Sequence, residues 1–243
     1  MKTNIGIITL ITLASLVVLF IVRLPHYKIG GNIVESVLID KTDTLPIAPT
    51  LEEILLPIHL EENKWNHIRL RTQSISDFDY NHISDLELPT RITIISNPIE
   101  RDKEIKSFTL KIDSAITNIS KQPSGRPKSS IYRSVMLEAN RIGSMDAKIK
   151  ALIVYSDLFE NSSIFSIYDT ASRTKLKSNP NEIKNRFMQA IKPGNLQNVK
   201  VYFVFKPYSS LTNEYFMLTS TLFKSILEDA GATVYIGANL IEN

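Results

Sequence analysis

The sequence predicts an α/β fold, a mostly parallel central sheet with helices on both faces, preceded by one transmembrane helix. Three observations predict it. The chain has 243 residues, enough for one sizeable domain after an apolar N-terminal segment. The continuous apolar run Ala151-Leu152-Ile153-Val154-Tyr155 is what a strand buried on both faces requires, and such strands belong to parallel sheets. Strand-like runs also alternate with segments of helical periodicity, the order that builds a sheet covered on both sides.

The first segment is residues 5–22, uncharged and almost wholly apolar. As a helix it would span about 27 Å, close to the hydrocarbon thickness of a bilayer. A cleaved signal peptide usually has a shorter apolar region ending in a small-x-small site. Here Phe20-Ile21-Val22-Arg23-Leu24-Pro25 follows instead, which favours an uncleaved anchor over residues 1–26. Lys2 lies on one side of it and Arg23 and Lys28 on the other, so charge does not orient it. Residues 27–32 read as a linker with Gly30-Gly31 as its joint, and residues 33–243 as the α/β domain.

Strand one is expected at 33–39. Thr50-Leu51-Glu52-Glu53 has the T-x-x-E form of a capping box and opens a helix through about residue 62, kinked or broken at Pro57. His67-Ile68-Arg69-Leu70-Arg71 alternates as a strand. Residues 91–96 are a second strand candidate ended by Asn97-Pro98. Helical spacing recurs over 103–119, and a polar loop then leads to a helix beginning near Ser129 or Ser130. After the strand at 151–155, residues 181–191 are helical and 199–205 a strand. A long helix over 213–230 stops at Gly231, and 233–236 closes the sheet.

Composition narrows the chemistry. With no cysteine, disulfides, thiolate metal sites and cysteine nucleophiles are excluded. A net charge of +3 is too weak to imply nucleic acid. The basic residues Lys121, Arg126, Lys128 and Arg133 read as a solvated loop because nothing aromatic interleaves with them. No nucleic-acid partner is expected. His26, His59, His67 and His82 show no metal-ligand spacing, and no G-x-S-x-G, Walker loop or G-x-G-x-x-G occurs. Trp65 and the aromatics Tyr202, Phe203, Phe205, Tyr215, Phe216 and Phe223 read as core.

Three segments carry candidate chemistry. Asp40, Thr42 and Thr44 form D-x-T-x-T at the carboxyl end of strand one, the edge at which open α/β sheets bind ligands. Ser129 follows Lys128 at a loop-to-helix junction, with Ser130 as the alternative. Asp157 stands just beyond the strand 151–155. Two carboxylates and three hydroxyls, completed by water, make a hard oxygen shell suited to Mg²⁺ or Mn²⁺. Each segment has a plainer reading, since an Asp after a strand is most often a turn and a Ser before a helix an N-cap.

In this order the segments resemble the von Willebrand factor A-like (VWA-like) family, over roughly residues 33–238. That resemblance implies a Rossmann-like sheet and a metal-ion-dependent adhesion site (MIDAS). Asp40, Thr42 and Thr44 match its first element, with Thr for both Ser, Ser129 its second and Asp157 its third. Many members have Gly after that Asp, and here Leu158 stands there. Ser156-Asp157-Leu158 with Asn161-Ser162 is similar to small bacterial members. The implied protein is not an enzyme. It binds a protein partner that presents a Glu or Asp to Mg²⁺ or Mn²⁺, and is a single-pass protein of the bacterial inner membrane.

Two other readings stand beside it. In one, the same fold is a metal-independent scaffold of a membrane assembly, with Asp40 and Asp157 only bracing strand-end loops. In the other, Asp40-Lys41-Thr42-Asp43-Thr44-Leu45 differs by one letter from the D-K-T-G-T-L of P-type ATPases, which would make Asp40 the nucleophile of a haloacid dehalogenase-like phosphatase. That class needs an acidic pair beside the phosphoaspartate, and no G-D-x-x-x-D or G-D-G-x-N-D is present.

Overall fold

A computed structural model describes residues 31–42, 49–75, 83–93, 96–124 and 128–240. The expected anchor, most of the linker and Thr44 lie outside the described residues. Among the described residues no helix is long and apolar enough to cross a membrane.

The first strand, β1 (Asn32–Asp40), divides the interior by its alternation. Ile33, Val37 and Ile39 enter one apolar cluster, and Val34 and Leu38 enter the other. A strand with both faces buried must lie inside a sheet covered on both sides. β1 accordingly pairs in parallel with β2 (His67–Ile75) and with β4 (Ile149–Tyr155). β5 (Val199–Val204) and β6 (Thr233–Gly237) continue the parallel sheet, while β3 (Ile83–Leu88) adds to β2 antiparallel at the edge. The order is β3-β2-β1-β4-β5-β6.

One face is covered by α1 (Leu51–Leu55), the short α2 (Leu60–Asn63) and the long α3 (Pro98–Ser120). Phe108, Ile112, Ile116 and Ile119 of α3 pack there on Val37, Ile39 and Ile153. The other face is covered by α4 (Ile131–Ser144), α5 (Thr170–Ser178), α6 (Pro180–Ala190) and α7 (Ser210–Asp229). Its centre is aromatic: Tyr132, Phe187 and Phe223 meet at tilted and edge-on angles with centroids 4.6 to 5.6 Å apart.

The local signals act as expected at several ends. Thr50 and Glu53 close both halves of the capping box. The helix it opens breaks at Leu55, and the chain turns through Pro57 to His59, whose φ is 49°. Asn97-Pro98, expected to end a strand, instead opens α3: Asn97 accepts from the Ile99 N–H at 2.9 Å with Pro98 at N1, so the helix starts earlier than periodicity suggested. Gly231, at φ 99°, turns the chain out of α7 as the stop signal predicted.

The strand expected at 91–96 is corrected. Residues 91–93 are not in a strand, and Ile92 is 52% exposed. The free edge of β2 is taken by β3 instead, whose Asp85 pairs with Arg71 and whose Glu87 pairs with His67 and Arg69 across the register. Its wet outer positions hid it from a search for apolar runs. α5 was also not foreseen, since Leu176 is its one buried residue. A polar network ties α4 to the sheet: Arg141 and Arg71 donate to opposite oxygens of the Glu138 carboxylate, and Arg141 donates to Ser36 Oγ.

Candidate functional site

Register decides which strand-end residues meet. Ile39 of β1 pairs with Tyr155 of β4, so Asp40 and Ser156 stand side by side at the carboxyl edge of the sheet. Asp40 shares the parity of Val34 and Leu38, and Ser156 that of Leu152 and Val154, all four facing the core beneath α4. Ser156 Oγ donates to Asp40 Oδ2 at 2.6 Å.

The other oxygen of Asp40 organises the loop that follows. Asp40 Oδ1 accepts from the Thr42 N–H at 2.8 Å and from Thr42 Oγ1 at 2.6 Å. This is an Asx turn, in which the side chain supplies a backbone-like acceptor two residues back. Thr42 Oγ1 also lies 3.3 Å from Ser129 Oγ. Ser156, Asp40, Thr42 and Ser129 are thus one continuous chain of oxygens drawn from three distant segments.

Ser129 is held by its backbone. Its N–H donates to Asn161 O at 3.2 Å and its carbonyl accepts from the Asn161 N–H at 2.9 Å, a two-residue antiparallel bridge between loops. Ser130 is the N-cap residue of α4, and its side chain makes no capping hydrogen bond. Ser129, not Ser130, therefore faces Thr42.

The third segment turns tightly. Ser156 Oγ accepts from the Leu158 N–H at 2.9 Å, and Asp157 Oδ1 from the Phe159 N–H at 2.8 Å. Leu158 has φ 58°, the left-handed region that favours glycine. The backbone keeps a glycine-type path at the position where this chain carries leucine. What holds the leucine there is burial, since Leu158 is 0% exposed within the core under α4. Asp157 is buried beside this turn, at the strand end next to Asp40.

Of the predicted site residues, Asp40, Thr42 and Ser129 are brought into hydrogen-bonding range, and Asp157 lies at the adjoining strand end. Two contributors went unranked in the sequence. Ser156 was visible only as the neighbour of Asp157. Glu160 is 1% exposed. Its Oε2 accepts from the Tyr132 N–H at 2.8 Å. Burial pushes its carboxyl up to about 7, with the charge of Asp40 adding to that, against hydrogen bonds from Ser162, Tyr132 and Ile131.

Among the described residues no group of three His, Cys, Asp or Glu is placed to hold a metal. The donor set is mixed: the carboxylates Asp40 and Asp157 with the hydroxyls of Thr42, Ser129 and Ser156. Its all-oxygen, partly neutral character fits a hard divalent cation such as Mg²⁺ or Mn²⁺ rather than a thiolate- or imidazole-seeking metal.

No family model matches this chain, and no curated protein sequence matches it. Among solved structures, it is similar to a mutant of the PilB minor pilin from Streptococcus sanguinis, at 10% identity and a TM-score of 0.47 over 90% of this chain. The match spans 60% of the length of that pilin chain. It is also similar to an aerotolerance-related membrane protein from Bacteroides fragilis carrying multiple mutations to serines. There identity is 9% and the TM-score 0.38, over 87% of this chain and 92% of the other.

Proposed function

We propose that this chain is a membrane-anchored, VWA-like protein-binding module whose strand-end site uses a divalent cation to engage an acidic residue of a partner. One observation carries the reading. Asp40, Thr42, Ser129 and Ser156 form a single oxygen chain at the carboxyl edge of a parallel sheet, although 116 residues separate Asp40 from Ser156. Asp40, Thr42 and Ser129, with Asp157 and Thr44, are the residues that would hold Mg²⁺ or Mn²⁺. A cation held partly by neutral hydroxyls keeps enough positive charge to attract one more carboxylate, which a Glu or Asp of the partner would supply. The uncharged segment 5–22 supports the anchor, as it would place the module at a membrane.

Titration of the full chain in detergent with Mg²⁺ or Mn²⁺ by calorimetry tests the site. Saturable binding that Asp40→Ala and Asp157→Ala both abolish is expected. No binding, or binding that survives both substitutions, removes the cation from the reading.

A second reading has its own observation. Both oxygens of Asp40, and Oδ1 of Asp157, already accept hydrogen bonds within the chain. The pair could therefore brace the strand-end loops of a metal-independent scaffold. Capture of a membrane partner that is unchanged by EDTA would favour it.

A further inference from the structure

We infer that Glu160 is the positioning residue that sets Ser129 in the site, by capping the N-terminus of α4 from another loop. The inference rests on the metal-site reading only for its consequence, not for its geometry.

A helix start leaves its first backbone N–H groups without intrahelical partners, and a side chain at the N-cap normally accepts from one of them. In α4 the N-cap is Ser130, and its hydroxyl does not do so. The acceptor comes instead from 28 residues along the chain: Glu160 Oε2 takes the Tyr132 N–H at 2.8 Å. The Ile131 backbone and the Ser162 side chain also favour the charged form of the Glu160 carboxyl. The next residue, Asn161, exchanges both backbone hydrogen bonds with Ser129. Glu160 and Asn161 together therefore grip residues 129–132 at two adjacent points. Neither contact reaches Thr42 or Asp40 through a direct hydrogen bond.

The loop that carries Glu160 is itself held. The Glu160 N–H donates to Leu158 O at 2.8 Å, and the Glu160 carbonyl accepts from the Ile167 N–H at 2.9 Å. The left-handed turn at Leu158 thus sets the direction of Glu160, Glu160 sets the start of α4, and the start of α4 sets how close the Ser129 hydroxyl lies to Thr42. A buried carboxylate at a helix N-terminus is also favoured by the helix dipole. The conserved logic of outer-shell residues around metal sites is the same: they fix where a ligand sits without touching the ion.

Amide hydrogen exchange on the full chain in detergent, read alongside Mn²⁺ titration, tests this with Glu160→Ala, Glu160→Asp and Glu160→Gln. Glu160→Ala is expected to speed exchange at Ser129, Ile131 and Tyr132 about tenfold, the size of one lost charge-assisted hydrogen bond. Exchange in β4 and β5 should be unchanged, and Mn²⁺ affinity should fall about tenfold. Glu160→Gln keeps a carbonyl acceptor and should restore most of both. Glu160→Asp, one methylene too short, should loosen the same amides and carries the test if the alanine variant does not fold. Unchanged exchange at 129–132, or loosening spread equally over the sheet, overturns the inference. If the wild-type chain binds no Mn²⁺, the metal reading fails while the exchange result still decides the role of Glu160. If Mn²⁺ binds wild type and Glu160→Ala equally, Glu160 has no positioning role and the metal reading stands.

Discussion

Ser156 Oγ donates to Asp40 Oδ2 at 2.6 Å, joining the ends of β1 and β4 through residues 116 positions apart. The bond is buried and its acceptor is a carboxylate, so bulk water does not make good its loss. Ser156→Ala is expected to destabilise the fold by about 1–3 kcal/mol. In a double-mutant cycle with Asp40→Asn, the coupling should be about 1–2 kcal/mol in urea unfolding. Additive behaviour would show that the two side chains do not share a bond in solution.

Glu160 makes stability depend on pH. Its carboxyl is raised to about 7 in the folded chain, first by burial, from an ordinary 4.5. A raised folded value means that the folded state binds a proton which the unfolded state releases, between about 4.5 and 7. Stability from this group is full below about 4.5 and falls as pH rises through about 7, by at most about 3 kcal/mol. Glu160→Gln should flatten that part of the stability curve measured by denaturant unfolding. An unchanged slope would place the titration elsewhere.

Leu158 is a leucine in a glycine conformation. Leu158→Gly should relieve backbone strain of about 1 kcal/mol, yet lose a fully buried side chain worth about 3 kcal/mol or more. Net destabilisation of about 2 kcal/mol is expected. Leu158→Ala, which keeps the strain and loses the packing, should be worse than Leu158→Gly. The reverse order in thermal unfolding would mean that strain is not what distinguishes the position.

Glu35 lies in the middle of β1, fully buried on the face beneath α3, and neither oxygen finds a hydrogen-bond partner among the described residues. Burial raises its pKa well above the ordinary value. Glu35→Met fills a similar volume without a polar group. It is expected to stabilise the chain by about 1–3 kcal/mol near neutral pH, with the gain growing as pH rises. Loss of stability on that change would reveal a partner for the carboxyl.

Much of the architecture was legible because local signals and burial agreed. The run Ala151–Tyr155 is apolar since both faces of β4 are covered, and the Thr50 and Gly231 signals act within one turn of chain. Where an element lies at the margin, that agreement fails. β3 has a wet outer side and α5 buries only Leu176, so neither shows the periodicity of a core element. The β-branched run at 91–96 had the right composition, but it is β3 that takes the edge of β2.

For the candidate site, the sequence alone determined the residue types at the strand ends: Asp40 with Thr42 after β1, Ser129 before a helix, and Ser156-Asp157 after β4. These follow from chemistry carried by neighbours in the chain. Only the tertiary structure decided that Ser129 rather than Ser130 faces Thr42, that Ser156 holds the second oxygen of Asp40, and that Glu160 caps α4. Those three relationships depend on parallel register and on one loop folding against another. Hydrogen bonds between residues 28 to 116 positions apart leave no periodic trace in a sequence, because nothing local is needed to make them.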